Sequence, residues 1–208
     1  MRFALPEAGG LDPRTLFAGP VEAIWLEVGF GGGEHLAAQA AAAPAIGMIG
    51  AEVFENGVVK LLGEIERRKL TNLRLFIDDA RLLLAALPEA SLQRVFILFP
   101  DPWPKLRHHK RRMVARETLD RLAFVMTDDA ELRLATDDAD YLRWMLERAA
   151  RHADFEWLAR RPEDWRERPA DWPPTRYEQK ALAAGRTPAF LRFRRRPRGG
   201  PAAPTRPR

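Results

Sequence analysis

The chain has 208 residues, no cysteine, 46% hydrophobic and 30% charged residues, and a formal net charge of +5. This composition fits one globular α/β domain and excludes a collagen-like chain, a disulfide scaffold, a cysteine-based metal site and a thiol nucleophile. The charge is uneven: residues 1–98 hold 9 Lys+Arg against 12 Asp+Glu, and residues 99–208 hold 25 against 17, which suits either a polyanionic partner or a solubilising basic tail.

Taken in chain order, residues 1–10 lack the apolar core of a signal peptide. Residues 23–30 (AIWLEVGF) predict a buried strand running into a glycine turn. Residues 34–43 form an alanine-rich helix stopped by Pro44, and 45–52 form a second strand ending in an acid. The uncharged stretch over residues 36–51 is too short and too weakly apolar to span a bilayer. Val58, Leu61, Leu62 and Ile65 stand at i, i+3, i+4, i+7 of a helix over residues 54–69.

A third strand covers residues 73–77 and ends at Asp78-Asp79, and a short helix follows over 81–86. The run RVFILF (94–99) is a fourth strand, bounded by Pro100. Residues 113–125 predict a helix, 131–136 a strand and 138–151 a helix, with late strands over 155–158 and 189–194. Residues 160–174, rich in Pro, Arg and Trp, read as an ordered loop. The domain is expected to occupy residues 1–196, with the Pro/Arg-rich stretch 197–208 as a disordered tail.

Strands alternating with helices predict a Rossmann-like α/β fold, a mostly parallel central sheet with helices on both faces. In such sheets ligands bind beyond the carboxyl ends of the strands, where every acid and glycine turn just named falls. The turn Glu27-x-Gly29-x-Gly31-x-Gly33-Glu34 departs from the dinucleotide pattern, because Glu34 stands where a third glycine is needed and would repel pyrophosphate at a helix start. A cationic ligand without phosphate, such as S-adenosylmethionine, fits better; the alternative is a tight turn with no ligand.

Glu52 is placed to accept two ribose hydroxyls or to cap the following helix. Asp79 is placed to take an adenine amino group or to serve as a cap. Asp101, between Pro100 and Pro102, is a carboxylate held stiffly at a strand end, and the prolines bias residues 99, 101 and 103 toward extended backbone. It reads as part of a reaction centre or as a proline-rich exit turn. The run KLRHHKRRMVAR (105–116) carries six Lys+Arg and no acid, a surface for phosphates or a solvated helix face. Adjacent His108 and His109 lack companion ligands, so no metal is expected. Ser91 is the only serine and lies in no nucleophile motif.

The ordered series EVGFGGGEHL, IGAE, DDA, FPDPWPKLRHHKRR, ATD at 135–137 and TRYEQK at 175–180 resembles the bacterial tRNA (guanine-N7-)-methyltransferases over residues 22–194. The resemblance implies a class I methyltransferase fold, S-adenosylmethionine as donor and position 46 in the variable loop of tRNA as target. It implies donor contacts from Glu27, Gly29, Gly31, Gly33, Glu52, Asp79 and Asp101, with Asp101 also catalytic. It implies guanosine contacts from Lys105, Asp137, Thr175, Arg176, Tyr177 and Glu178. Asp137 stands equally well as a helix cap, and Trp165 and Trp172 as base-stacking platforms or loop core. Residues 126–130 (MTDDA) replace the glycine-containing turn expected before the fifth strand.

A cytoplasmic protein, monomer or homodimer, acting on tRNA without membrane or metal is therefore expected. Three rivals compete: a small-molecule methyltransferase, which leaves the basic run unexplained; a nicotinamide-dependent oxidoreductase, disfavoured by Glu34; and a non-catalytic RNA-binding protein, which has no use for a rigid Asp101.

Overall fold

Apolar runs of four to seven residues, each broken by glycine, proline or an acid, set the strands. The computed structural model describes residues 1–7 and 10–199. The strands are β1 (Arg2–Phe3), β2 (Ala23–Val28), β3 (Ile46–Ala51), β4 (Leu73–Phe76), β5 (Leu92–Leu98), β6 (Met126–Thr136), β7 (Phe155–Trp157) and β8 (Ala189–Arg195). The helices are α1 (Glu34–Ala42), α2 (Glu55–Arg68), α3 (Ala80–Ala86), α4 (Arg116–Val125), α5 (Ala139–Ala149), α6 (Glu163–Arg166) and α7 (Arg176–Ala183).

Among the described residues the strands form one sheet in the order β1-β4-β3-β2-β5-β6-β8-β7. Pairing is parallel from β1 through β6, while β8 runs antiparallel to both β6 and β7. The chain moves outward from β2 to β4 and then returns to place β5 on the other side of β2. That reversal opens a crevice at the carboxyl ends of β2 and β5.

Alternate residues of β5 feed opposite faces. Val95 and Ile97 join the core under α3, α4 and α5, whereas Phe96 and Leu98 join the core under α1 and α2. Both faces are therefore covered, and the polar row that crosses β5, β6 and β8 (Arg94, Glu131, Arg133, Arg192) is tied together by ion pairs. No helix among the described residues is long and apolar enough to cross a membrane.

Four local readings differ from the structure. The helix expected from residue 113 starts at Arg116, because Val114 is already committed: its N–H donates to the Tyr141 hydroxyl (3.1 Å), and its carbonyl accepts from Trp144 Nε1 (2.6 Å). The MTDDA segment is the start of β6 rather than a loop. It pairs Met126 with Leu92, then bulges before Arg94, with Asp129 at φ 63. Residues 106–111 of the basic run wind into a short 3₁₀ helix. Of the predicted tail, Arg198 is tied to Glu89 and Asp128 at 2.7 and 2.5 Å; residues 200–208 lie outside the described residues.

Arg112 is the other departure. Expected on the phosphate-binding surface, it is 1% exposed. Its guanidinium lies 5.0 Å from the Tyr141 ring centroid and 4.7 Å from that of Trp144. It donates to the Pro102 carbonyl at 2.7 Å and to Asp140 at 2.6 Å. Hydrogen bonds from Arg112 and Arg143 hold the Asp140 carboxyl below its usual range.

Two outcomes are expected. Tyr141→Phe leaves the buried Val114 N–H without a partner, costing about 1–3 kcal/mol. At about 2–4 °C per kcal/mol for a chain of this size, thermal unfolding reads the loss directly. Asp140 has a depressed folded-state pKa, so its stabilisation is present above its ordinary value of 3.8 and fades as pH falls through the lower folded value. Asp140→Asn should unfold at lower temperature than wild type at pH 7, and the gap should close on acidification in a melting series.

Candidate active site

Three glycines form the turn after β2, with Gly29, Gly31 and Gly33 at φ 70, 54 and 79. The Gly31 carbonyl approaches Gly57 of α2 so closely that a Cβ on Gly57 would overlap it. Helix α2 thus buttresses the turn, and only glycine permits that contact.

The cavity beside the turn has a volume of about 270 Å³. Its walls come from the ends of β2, β3, β4 and β5, and it gathers Gly29, Gly31, Glu52, Asp79, Asp101 and Tyr177 from the sequence-predicted set. Four carboxylates line it (Glu52, Asp78, Asp79, Asp101) against two guanidinium groups, Arg81 and Arg111. Arg81 is partly neutralised by Asp79 at 3.0 Å, and it also donates to the Arg111 carbonyl at 3.0 Å.

Glu52 bridges two loops. Its Oε2 accepts from Gly31 N–H at 2.8 Å, and its Oε1 accepts from Val53 and Phe54 N–H at 2.8 and 3.0 Å. Phe54, not Glu52, is the cap residue of α2. Asp79 caps α3 by accepting from Arg81 N–H at 2.9 Å while also facing the cavity.

Asp101 is exposed and makes no hydrogen bond among the described residues. Its neighbours do not adopt the extended backbone that the prolines predict: Phe99 sits at φ 51 and Trp103 at φ 46. Phe99 N–H still donates to the Ala135 carbonyl at 2.8 Å, so the chain must turn off the sheet at that residue. With the right-handed helical region disfavoured before Pro100, it turns through a left-handed value. Trp103 follows the carbonyl that Arg112 holds. Two such residues cost about 1–3 kcal/mol each and occur where structure is imposed by function. Trp103 also lines the cavity, with the Arg111 guanidinium 4.8 Å from its ring centroid.

Other predicted residues lie outside the cavity walls. Glu27 is 3% exposed, and its Oε2 meets His35 Nδ1 at 2.6 Å. Lys105 is exposed at the start of the 3₁₀ segment, beside exposed Arg107, Lys110 and Arg111. Asp137 pairs with Arg186 at 2.6 Å, and it is Asp138 that caps α5. Thr175 caps α7 by accepting Glu178 N–H at 3.1 Å. Arg176 is exposed. Glu178 takes Arg168 Nε on Oε1 at 3.0 Å, while its Oε2 is buried with no partner among the described residues. Trp172 is buried against Phe190, and Trp165 is partly buried against the other core. Arg111 and Met113, from the basic run, also line the cavity, together with Arg81 and Phe54, which fall in no motif that would have singled them out.

Comparison with known proteins identifies the family. A family model described as "Putative methyltransferase" matches residues 21–191. The tRNA (guanine-N(7)-)-methyltransferase of Rhodospirillum rubrum is 57% identical over 93% of this chain and 76% of its own. That of Paramagnetospirillum magneticum is 52% identical over 94% and 82%. Among solved structures, a 16S rRNA (adenine(1408)-N(1))-methyltransferase with SAM from Catenulisporales acidiphilia aligns with TM-score 0.58 at 18% identity, over 92% of this chain and 94% of that one. TrmN from Thermus thermophilus aligns with TM-score 0.58 at 15% identity, over 88% and 47%. The structural likeness concerns the fold, and the sequence identity decides the family: this chain belongs to the tRNA (guanine-N7-)-methyltransferases.

Proposed function

We propose that the protein methylates N7 of the guanine at position 46 in the variable loop of tRNA, with S-adenosylmethionine as donor, in the cytoplasm. The observation that carries this reading is Asp101, unpaired among the described residues, in the wall of a carboxylate-lined cavity, with the exposed cations Lys105, Arg107, Lys110 and Arg111 on the segment that follows. The relatives' names supply the target.

The residues present fit the donor. A Cβ on Gly29 would meet nothing within 4 Å, so the turn leaves open space where a ligand needs it. The acids suit a ligand with positive sulfur and nitrogen centres and ribose hydroxyls, and nothing in the glycine turn is arranged for phosphate. Bound there, S-adenosylmethionine supplies a methyl group on a positively charged sulfur.

Each residue then has a role in this proposal. Gly29, Gly31 and Gly33 shape the cradle, and Glu27 takes the donor on the oxygen that His35 leaves free. Glu52 keeps its three backbone bonds and offers its remaining lone pairs to the ribose. Asp79 takes the adenine amino group. Lys105, Asp137, Thr175, Arg176, Tyr177 and Glu178 contact the guanosine. Guanine N7 has a lone pair and no proton, so no general base is needed. Asp101 acts by charge: it faces the positive charge as that charge passes from sulfur to purine.

Two measurements test this. Unmodified tRNA incubated with enzyme and donor should yield 7-methylguanosine on nucleoside mass spectrometry, and a transcript with adenine at position 46 should yield none. Methylation only of small molecules, or of a different nucleoside, would sink the reading. Asp101→Asn should keep donor affinity within a few-fold and lower kcat by about 10²-fold or more; unchanged kcat at saturating substrate removes Asp101 from the chemistry.

A further inference from the structure

Helix α1 carries two buried polar residues one turn apart, His35 and Gln39, 2% and 6% exposed. Their bonds have only one consistent direction. Gln39 Nε2 donates to the Asp171 carbonyl at 2.8 Å and lies 3.3 Å from His35 Nε2. An amide nitrogen only donates, so His35 Nε2 must accept. The imidazole proton therefore sits on Nδ1 and is donated to the Glu27 carboxylate at 2.6 Å.

The far end of this chain is also fixed. Asp171 takes Arg133 Nη2 at 2.7 Å, and the Arg133 guanidinium lies 5.3 Å from the Trp172 ring centroid and 5.6 Å from that of Phe96. Arg168 donates from Nη1 to the Trp172 carbonyl and from Nε to Glu178 Oε1 at 3.0 Å. Glu27 at the end of β2 and Glu178 on α7 are thus joined through His35, Gln39, the 171–172 backbone and Arg168.

We infer that His35 and Gln39 are positioning residues, one ring nitrogen of His35 setting the donor-side carboxylate Glu27 and the other, through Gln39, setting the loop that presents Glu178 to the guanosine. This rests on the proposal that Glu27 faces the donor and Glu178 the guanosine. Burial explains the use of histidine. In a site this dry, an unpaired carboxylate or amide is costly, and a neutral imidazole satisfies an acceptor on one side and a donor on the other.

The two ring nitrogens can be removed separately. In His35→Asn the amide nitrogen stands near the place of Nδ1 and keeps the bond to Glu27, while Gln39 loses its acceptor. In His35→Gln the amide oxygen stands near the place of Nε2 and accepts from Gln39, while Glu27 loses its donor. Steady-state assays on tRNA should show His35→Asn with a KM for tRNA raised about tenfold and a KM for donor within about twofold of wild type. His35→Gln should show the reverse. Gln39→Met, which cuts only the loop side, should match His35→Asn and remains informative if either histidine variant folds poorly.

Both KM values moving together in all three variants, in step with the loss of thermal stability, would reduce the pair to core packing. Unchanged KM values in all three would also overturn the proposal. A wild-type enzyme that forms no 7-methylguanosine defeats the functional reading instead, so the two failures are distinguishable.

Discussion

One buried guanidinium governs the loop that carries Asp101. Asp101 has no hydrogen bond among the described residues, and the backbone around it is strained at Phe99 and Trp103. Arg112 holds that strain in place by fixing the carbonyl of Pro102, the residue after Asp101, while its other end pairs with Asp140 on α5. A buried ion pair stabilises little by itself, since desolvation offsets the attraction. Its use here is geometric. Charge-assisted bonds of about 1.5–3 kcal/mol each are of the same size as the strain of about 1–3 kcal/mol per residue, and that is enough to keep one loop conformation dominant. Tyr141 and Trp144 supply the apolar faces around the cation and bind Val114 on either side.

The same residue shows why composition overstates the basic surface. The second half carries most of the Arg, yet Arg112, Arg133 and Arg195 are buried. They serve Asp140, the Glu131–Asp171 pair and Asp128 respectively. Burial raises the carboxyl pKa of Glu131, but the bonds from Arg133 and Arg192 prevail and hold it below its usual range. Part of the cationic excess is therefore internal wiring, while Lys105, Arg107, Lys110 and Arg111 stay exposed on and beside the 3₁₀ segment. The first half, with its acidic excess, supplies Glu52, Asp78 and Asp79 to the cavity.

The pattern of β2 to β5 was legible because each is a short apolar run with a chemically explicit end, and the acids Glu52, Asp78, Asp79 and Asp101 do converge on one cavity, whereas Glu27 and Asp137 lie outside it. What stayed illegible depends on contacts distant in sequence. Nothing near residue 113 announces that Tyr141 and Trp144 will claim Val114 and delay α4. Nothing in MTDDA announces a bulge stitched to Leu92. The 163–166 helix and α7 lie in or just after a stretch whose prolines argue for loop. Local proline rules also failed at Phe99, where the requirement to leave the sheet overrode the preference for extended backbone. The Glu27–His35 pair was visible as two residues eight apart, but only the turn between β2 and α1 brings them together.

At several predicted site residues, bonding a helix start and facing the cavity are compatible. Asp79 caps a helix and also lines the cavity; Glu52 bonds the backbone at the start of α2 and lines the same cavity. Thr175 begins a pattern that resembles a guanosine-binding motif, yet its hydroxyl caps α7. The reason is common to all three. A helix start exposes unbonded N–H groups, and an oxygen-bearing side chain that satisfies one or two of them retains further lone pairs. At the carboxyl end of a parallel strand, that side chain is held rigidly by its backbone bonds while its free lone pairs point away from the helix. Capping is thus how these folds orient a ligand-binding oxygen, and a residue's success as a cap argues for, rather than against, its place in a binding site.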